Sequence, residues 1–242
     1  MYHPFSVVET IKTSWDIFKK NIITIIVYSI ISYILLAVLA VIIELIFSPQ
    51  EFAATMLVTL ILIFVQAYTT LGLYKLIFTV MDSEYYEFEF KQVLPGFKMV
   101  VSYLAVIFLL AFITTNCSIL IERLDDYPNL QFLIEMLLVI AALYLFLRIM
   151  FFNTFIVDDK SGPLESLRQS FKLTNGYFFK ILLILCIILL FIALPAIISE
   201  YFPLTSLVII LTYPFVNIIL AVTYRKLVYS HQDVEDDVAE TL

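Results

Sequence analysis

Four polar side chains interrupt otherwise apolar stretches of this sequence, and their types could do chemistry. They are Gln66, Glu135, Arg148 and Asn217. Placing a polar or charged side chain in a hydrocarbon environment costs free energy, so such residues are candidates for binding a solute, a headgroup or an ion. We treat them as a candidate intramembrane polar site.

Two prolines strengthen this interpretation, and packing offers an alternative to it. Pro195 and Pro214 can break their helices and expose backbone carbonyls, as at transporter binding sites. Single Asn and Gln residues also commonly join two helices, for roughly 0.6–2 kcal/mol. Gly72, beside Thr69 and Thr70, would let another helix approach closely.

Glu135 and Arg148 lie too far apart to pair with each other. Their spacing along one helix corresponds to about 20 Å at a rise of about 1.5 Å per residue. Each lies near an opposite end of that helix and can extend its charge to the nearer interface. Each of the two residues therefore has two alternative roles: binding a ligand, or extending its charge to the membrane surface.

The sequence contains no arrangement typical of catalysis. His3 and His231 lie at opposite ends, and no Gly-rich phosphate loop or Ser-His-Asp set can be assembled. Cys117 and Cys186 lie in different apolar runs, so no disulfide is expected. We expect no enzymatic activity, no metal, no cofactor and no nucleic-acid partner.

Composition indicates the elements that must position these residues. The chain is 62% hydrophobic and 14% charged, against about 45–50% and about 25% in soluble domains. Six runs have the roughly 17–25 residues that cross a hydrocarbon layer of about 30 Å. They are Ile22 to Phe47, Phe52 to Tyr74, Met99 to Ile121, Leu130 to Leu147, Ile181 to Ile198 and Leu204 to Tyr224. We predict an all-α integral membrane protein with six transmembrane helices.

The distribution of Lys and Arg predicts the orientation of these helices. With the N-terminus placed inside, every basic residue except Arg123 falls on the inner side. Because positive loops stay in the cytoplasm, both termini are predicted to be cytoplasmic.

The six helices form three hairpins, and an amphipathic inner-face helix is predicted before each one. The segments are Pro4 to Lys20, Glu84 to Lys98 and Gly162 to Gly176. In the third, Gly162 can cap the helix, Pro163 fits its first position and Gly176 its end. Helices of this kind lie in the membrane interface. Their basic residues are predicted to contact lipid phosphates: Lys12, Lys19, Lys20, Arg168, Lys172 and Lys180.

The hairpins also suggest an internal repeat. At a shift of 156 residues the first and third amphipathic segments match, for example Lys12 with Arg168 and Ser14 with Ser170. The middle segment matches less well, at a shift of 79. We predict one domain over residues 1–230, built from parallel repeats 1–80, 81–160 and 161–230. Residues 231–242 are predicted to be an acidic disordered tail, or alternatively a partner-binding one.

The stretch from Arg148 to Lys180 resembles one family. An Arg at a helix end, an apolar-Val-Asp stretch at Ile156 to Asp158, Gly162 and then Ser166-Leu167-x-x-Ser170-x-x-Leu173-Thr174 are similar to the YciC family of bacterial membrane proteins. They also resemble the membrane domain of some glycerophosphoryl diester phosphodiesterases. The resemblance implies a bacterial inner-membrane location and brings no catalytic residues with it.

The sequence supports two alternative functions. The first is a non-enzymatic role in envelope or lipid properties through contacts with membrane lipids or a protein partner, which the basic amphipathic helices favour. The alternative is a transporter or translocator of a small or lipidic substrate, which Gln66, Asn217 and the two prolines favour.

Overall fold

The computed structural model describes residues 5–46, 52–82, 90–201 and 208–240. Within these residues the secondary structure is entirely helical. The helices are α1 (Val7–Lys20), α2 (Ile22–Ile46), α3 (Phe52–Asp82), α4 (Phe90–Val93), α5 (Phe97–Glu122), α6 (Pro128–Ile149), α7 (Phe152–Asp158), α8 (Pro163–Leu173), α9 (Phe178–Ser199) and α10 (Ile209–Glu240).

Five stretches of the described chain are long and apolar enough to cross a membrane. They lie in α2, α3, α5, α6 continued through α7, and α9. The predicted all-helical character is therefore confirmed for the described residues, and the five apolar stretches indicate a multi-pass membrane protein. The sixth expected span, Leu204 to Tyr224, begins outside the described residues and continues in α10. Helix α10 also runs to Glu240, through most of the segment that was expected to be a disordered tail.

Helix α8 begins where the sequence predicts, whereas α1 begins at Val7, inside the predicted segment Pro4 to Lys20, and ends at Lys20 as predicted. Gly162 is the N-cap of α8, Pro163 is its first residue, and the Gly162 N–H donates to the Glu165 carboxylate at 3.3 Å. Gly176 follows the helix with a φ of +80°, a left-handed conformation that glycine adopts without strain. These local predictions are confirmed.

The middle amphipathic segment differs from the expectation. Residues 84–89 of the predicted stretch Glu84 to Lys98 lie outside the described residues, and α4 covers only four positions of the rest. Phe97 and Lys98 are the first residues of α5. Assigning these two positions to an interfacial helix was wrong, because Pro95 and Gly96 separate α4 from α5.

Packing partners recur in the same order around the molecule. The two long helices of each hairpin contact each other: α2 with α3, α5 with α6, and α9 with α10. The second helix of each hairpin then contacts the first helix of the next one, through α3 with α5, α6 with α9, and α10 with α2. The short helices follow the same rule, since α1 packs on α10, α4 on α3, and α8 on α6 and α7. The contacts between the described helices thus run in a closed ring.

Matched positions of α1 and α8 have the same surroundings. Four hydroxyl residues of these helices, at two pairs of matched positions, are completely buried: Thr10, Ser14, Ser166 and Ser170. Other matched positions are apolar and exposed, with Val8 80% and Leu164 72% exposed. Each helix therefore packs on the protein through small hydroxyl residues and one apolar side chain, Phe18 or Leu173, and presents further apolar residues to the surroundings, as an interfacial helix does. The repeat itself stays a prediction.

The buried core lies at the end of the bundle where α1 and α8 are found, called here the α1/α8 end. Its largest fully buried side chains include Tyr74, Phe151, Ile156 and Tyr224. By contrast, only 6% of the most apolar stretch of α2, α5 or α6 is buried inside the protein. The long helices thus expose apolar surface that a bilayer would cover.

Candidate functional sites

An ion-pair cluster joins three helices at the α1/α8 end. The Arg225 guanidinium of α10 lies 2.8 Å from Asp82 of α3 and 3.1 Å from Asp158 of α7. The Tyr224 hydroxyl donates to the second Asp158 oxygen at 3.0 Å. This arrangement satisfies the partly buried Asp158 carboxylate and fixes α10 against α3 and α7.

The carboxylates of this cluster disfavour an anionic ligand there. Partial burial raises the pKa of the neighbouring Asp159, and the negative charge of Asp158 raises it further, while Arg225 opposes both. A raised pKa of a carboxyl group reports surroundings that disfavour negative charge. Because Arg225 is already paired with two carboxylates, the cluster is a structural joint and offers no free cation to an anionic ligand.

The six predicted lipid-interface residues differ in the contacts that their side chains make. Lys180 donates to the Phe5 carbonyl at 2.7 Å, so it holds the start of the described chain. Lys20 is exposed but has an interaction of its own. The other four are exposed and form no ion pair within the part of the chain that the structure describes: Lys12, Lys19, Arg168 and Lys172. These four cations remain available to an anion.

Two of these available cations border a groove of about 500 Å³ between α5, α6 and α8. Arg168 and Lys172 lie one turn apart on α8 and line the groove together with Leu167 and Phe171. Apolar residues of the long helices complete its walls: Leu109, Leu110, Ile113, Leu145 and Ile149. The groove therefore joins an apolar surface to a doubly positive edge.

Arg148 does not extend to the surface as the sequence suggested. It is 7% exposed, and its guanidinium carbon lies 4.1 Å from the centroid of the Phe171 ring. Its carbonyl accepts a hydrogen bond from the Ser170 hydroxyl at 3.0 Å, which holds α8 over it. The prediction of a surface-reaching side chain was wrong because α8 covers this end of α6 and supplies an aromatic face for the cation.

The remaining polar candidates are not brought together by the fold. Asn217 is 7% exposed, and its amide donates to the Tyr213 carbonyl of its own helix at 2.8 Å. Glu135 is half-buried, about two turns from the start of α6. Only Gln66 lines a cavity among the described pockets, so the four residues do not form one site.

The cavity that Gln66 lines has a volume of about 380 Å³ and lies between α2, α3 and α10. Hydroxyl groups from all three helices face it, and sequence reasoning missed most of them: Tyr28, Ser29, Ser32, Tyr33, Thr69, Thr70 and Tyr213. The stretch YSIISY in α2 was an available signal, because polar positions i, i+1, i+4 and i+5 share one helix face. This cavity is the observation that favours the alternative function, transport.

Comparison of the chain with models of known protein families, with curated proteins and with solved structures finds no match. The resemblance to the YciC family therefore stays a prediction.

Proposed function

We propose that this chain is a non-enzymatic, multi-pass protein of a bacterial inner membrane that binds an anionic phospholipid at its cytoplasmic face. The observation that carries the proposal is the groove between α5, α6 and α8, where Arg168 and Lys172 border apolar walls. The orientation follows from the Lys and Arg distribution, which puts the α1/α8 end on the cytoplasmic side.

The two parts of the groove match the two parts of a phospholipid. Leu109, Ile113 and Leu145 are partly exposed in the walls and can cover an acyl chain. The guanidinium and ammonium groups at the edge can donate charge-assisted hydrogen bonds to the phosphate. A basic residue near an anionic membrane surface contributes about 1 kcal/mol, so the pair supplies about 2 kcal/mol.

The setting of α8 supports a position at headgroup depth. Leu164 is 72% exposed and Phe171 39% exposed, on a helix whose buried residues are Ser166, Ser170 and Leu173. An exposed apolar face beside exposed basic residues is typical of a helix lying in the membrane interface. Phosphate groups are found at that depth.

Neutralising the edge of the groove tests the proposal. We expect Arg168→Gln/Lys172→Gln to weaken binding of phosphatidylglycerol about 30-fold, since two cations of about 1 kcal/mol each are lost. The measurement is native mass spectrometry of the full chain from nanodiscs of phosphatidylethanolamine with added phosphatidylglycerol. Because both side chains are exposed, the melting temperature should change little.

The matched control is Lys12→Gln/Lys19→Gln. It removes the same charge from α1, where both lysines are exposed and neither lines the groove. We expect this variant to lose much less phosphatidylglycerol. Equal loss from both variants would show a general effect of net charge, and unchanged binding in the α8 variant would contradict the proposal. A bound polypeptide in place of lipid would identify a protein partner instead.

A further inference from the structure

We propose that the cavity between α2, α3 and α10 binds an uncharged polyhydroxylated group, either a sugar or another polyol. Its described lining includes the Gln66 amide and seven hydroxyl-bearing side chains, but no charged one. The cavity is separate from the groove of α8 and shares no residue with it. The inference therefore goes beyond the proposed function.

The polar groups of the cavity are of the kind that recognises hydroxyls. Each Ser, Thr or Tyr hydroxyl both donates and accepts, and an amide offers one group of each type, which matches the hydroxyls of a sugar. Thr70 Oγ1 and the Tyr213 hydroxyl lie 3.3 Å apart across α3 and α10, so the two helices converge on one point. The Gln66 side chain forms no hydrogen bond within the described chain and can bond to a ligand.

The absence of charge among these lining residues sets the ligand class. A phosphate or ammonium group taken into an uncharged site within apolar helices would lose its hydration without gaining a counter-charge. A neutral polyol loses only hydrogen bonds with water, and the hydroxyls of the cavity replace them. The site thus favours a neutral ligand over an anionic lipid headgroup.

Aromatic rings complete the match to a sugar. Tyr28, Tyr33 and Tyr213 line the cavity, and the faces of their rings carry partial negative charge that attracts the C–H groups of a sugar ring. A volume of about 380 Å³ is at the lower end of the roughly 300–1,000 Å³ typical of ligand sites. It suits a group of about one ring.

A proline in α10 removes a helical hydrogen bond from the backbone carbonyl of a residue that lines the cavity. Pro214 has no N–H, so the carbonyl of Ile210, four residues earlier, receives no helical hydrogen bond from it. Ile210 lines the cavity. Pro214, one of the two prolines noted in the sequence, therefore affects the backbone of a cavity residue. This effect does not involve Asn217.

The ligand can come from two sources. Tyr33 is 66% exposed and Tyr213 is 48% exposed, so the rim of the cavity opens onto the surface that the bilayer would cover. A glycolipid headgroup could enter from the bilayer, and a free sugar from water. Both present the same chemistry to the site.

The experiment uses the full chain in phosphatidylcholine nanodiscs, with monoglucosyl diacylglycerol in one arm and free glucose in the other. Retained ligand is measured by native mass spectrometry for wild type and for Ser32→Ala/Thr70→Val/Tyr213→Phe. This variant removes three hydroxyls with little change in volume, and affinity should fall about tenfold or more. The matched control is Thr59→Val/Thr114→Val, whose hydroxyls bond only to carbonyls of their own helices.

Loss of the glycolipid from the triple variant, with retention by the control, supports the proposal with a lipid source. The same pattern for glucose supports it with a soluble source. Wild-type protein that binds neither ligand, or equal retention by the triple variant, would overturn it. If the triple variant does not fold, Gln66→Leu provides the same comparison without disturbing the contact between Thr70 and Tyr213. Arg168→Gln/Lys172→Gln should keep its sugar ligand, so this test and that of the α8 groove can fail separately.

Discussion

At the scale of single residues, Gly72 determines how α2 meets α3. The Tyr28 hydroxyl of α2 donates to the Thr69 carbonyl of α3 at 2.8 Å, and a Cβ atom at position 72 would collide with that hydroxyl. The close approach expected at Gly72 from the sequence is therefore present. Its partner could not be predicted, because the residue facing a glycine depends on the rotation and tilt of the neighbouring helix.

We predict that Gly72→Ala destabilises the protein by about 1–3 kcal/mol, the usual cost of overpacking. Shortening the partner should relieve part of this cost, since Tyr28→Phe removes the hydroxyl that the new methyl group meets. The measurement is a double-mutant cycle from thermal unfolding in one detergent. If Gly72→Ala costs as much in the Tyr28→Phe background as in wild type, the contact with the hydroxyl is not the cause.

At the scale of elements, the Ser170 side chain joins α8 to the backbone at the break between α6 and α7. Its completely buried hydroxyl donates to the Arg148 carbonyl at 3.0 Å and accepts from the Phe151 N–H at 3.1 Å. Backbone groups at the ends of helices lack partners within the helix, so this one side chain satisfies two of them. Ser14, at the matched position of α1, donates to Thr10 in its own helix instead.

We predict that Ser170→Ala lowers stability by about 1–3 kcal/mol, because it leaves a buried N–H without a partner. Ser14→Ala should cost less than about 1 kcal/mol, since the Thr10 carbonyl keeps its place in the helical ladder. The measurement is the melting temperature of each variant, compared with that of wild type in the same detergent. Equal destabilisation would show that burial alone accounts for both, without a special role in joining α8 to α6.

The helices show which features of the structure can be predicted from the sequence. Capping residues at Gly162 and Gly176 located α8 well, because local backbone chemistry acts over a few residues. The break at Met150 and Phe151 was not foreseen, since nothing in that apolar stretch marks it. Most of the hydroxyl lining of the cavity was missed for a related reason: the sequence shows the YSIISY face of α2, but only the assembled helices bring it close to Thr69, Thr70 and Tyr213.

At the scale of the whole molecule, the amphipathic helices α1 and α8 occupy equivalent positions in the ring of helix contacts. Val7 and Pro163, which begin α1 and α8, are 156 residues apart, as are Ile22 and Phe178, which begin α2 and α9. This is the shift at which the sequence matches. The long helices α2 and α5 begin 75 residues apart, not the 79 that the weaker middle match suggested. A parallel repeat requires every hairpin to enter the membrane from one side.

That requirement makes the orientation of the molecule testable with single thiols. In a background of Cys117→Ala/Cys186→Ala, we predict that Asp126→Cys, between α5 and α6, reacts with a membrane-impermeant maleimide in intact cells. Asn175→Cys, between α8 and α9, should react only after the membrane is opened, because the Lys and Arg residues keep that end inside. Both native residues are exposed, so access to the reagent depends on the side of the membrane alone. The reverse labelling would put the groove of α8 at the opposite leaflet and remove the basis for a cytoplasmic lipid site, while the sugar-binding cavity within the helices would be unaffected.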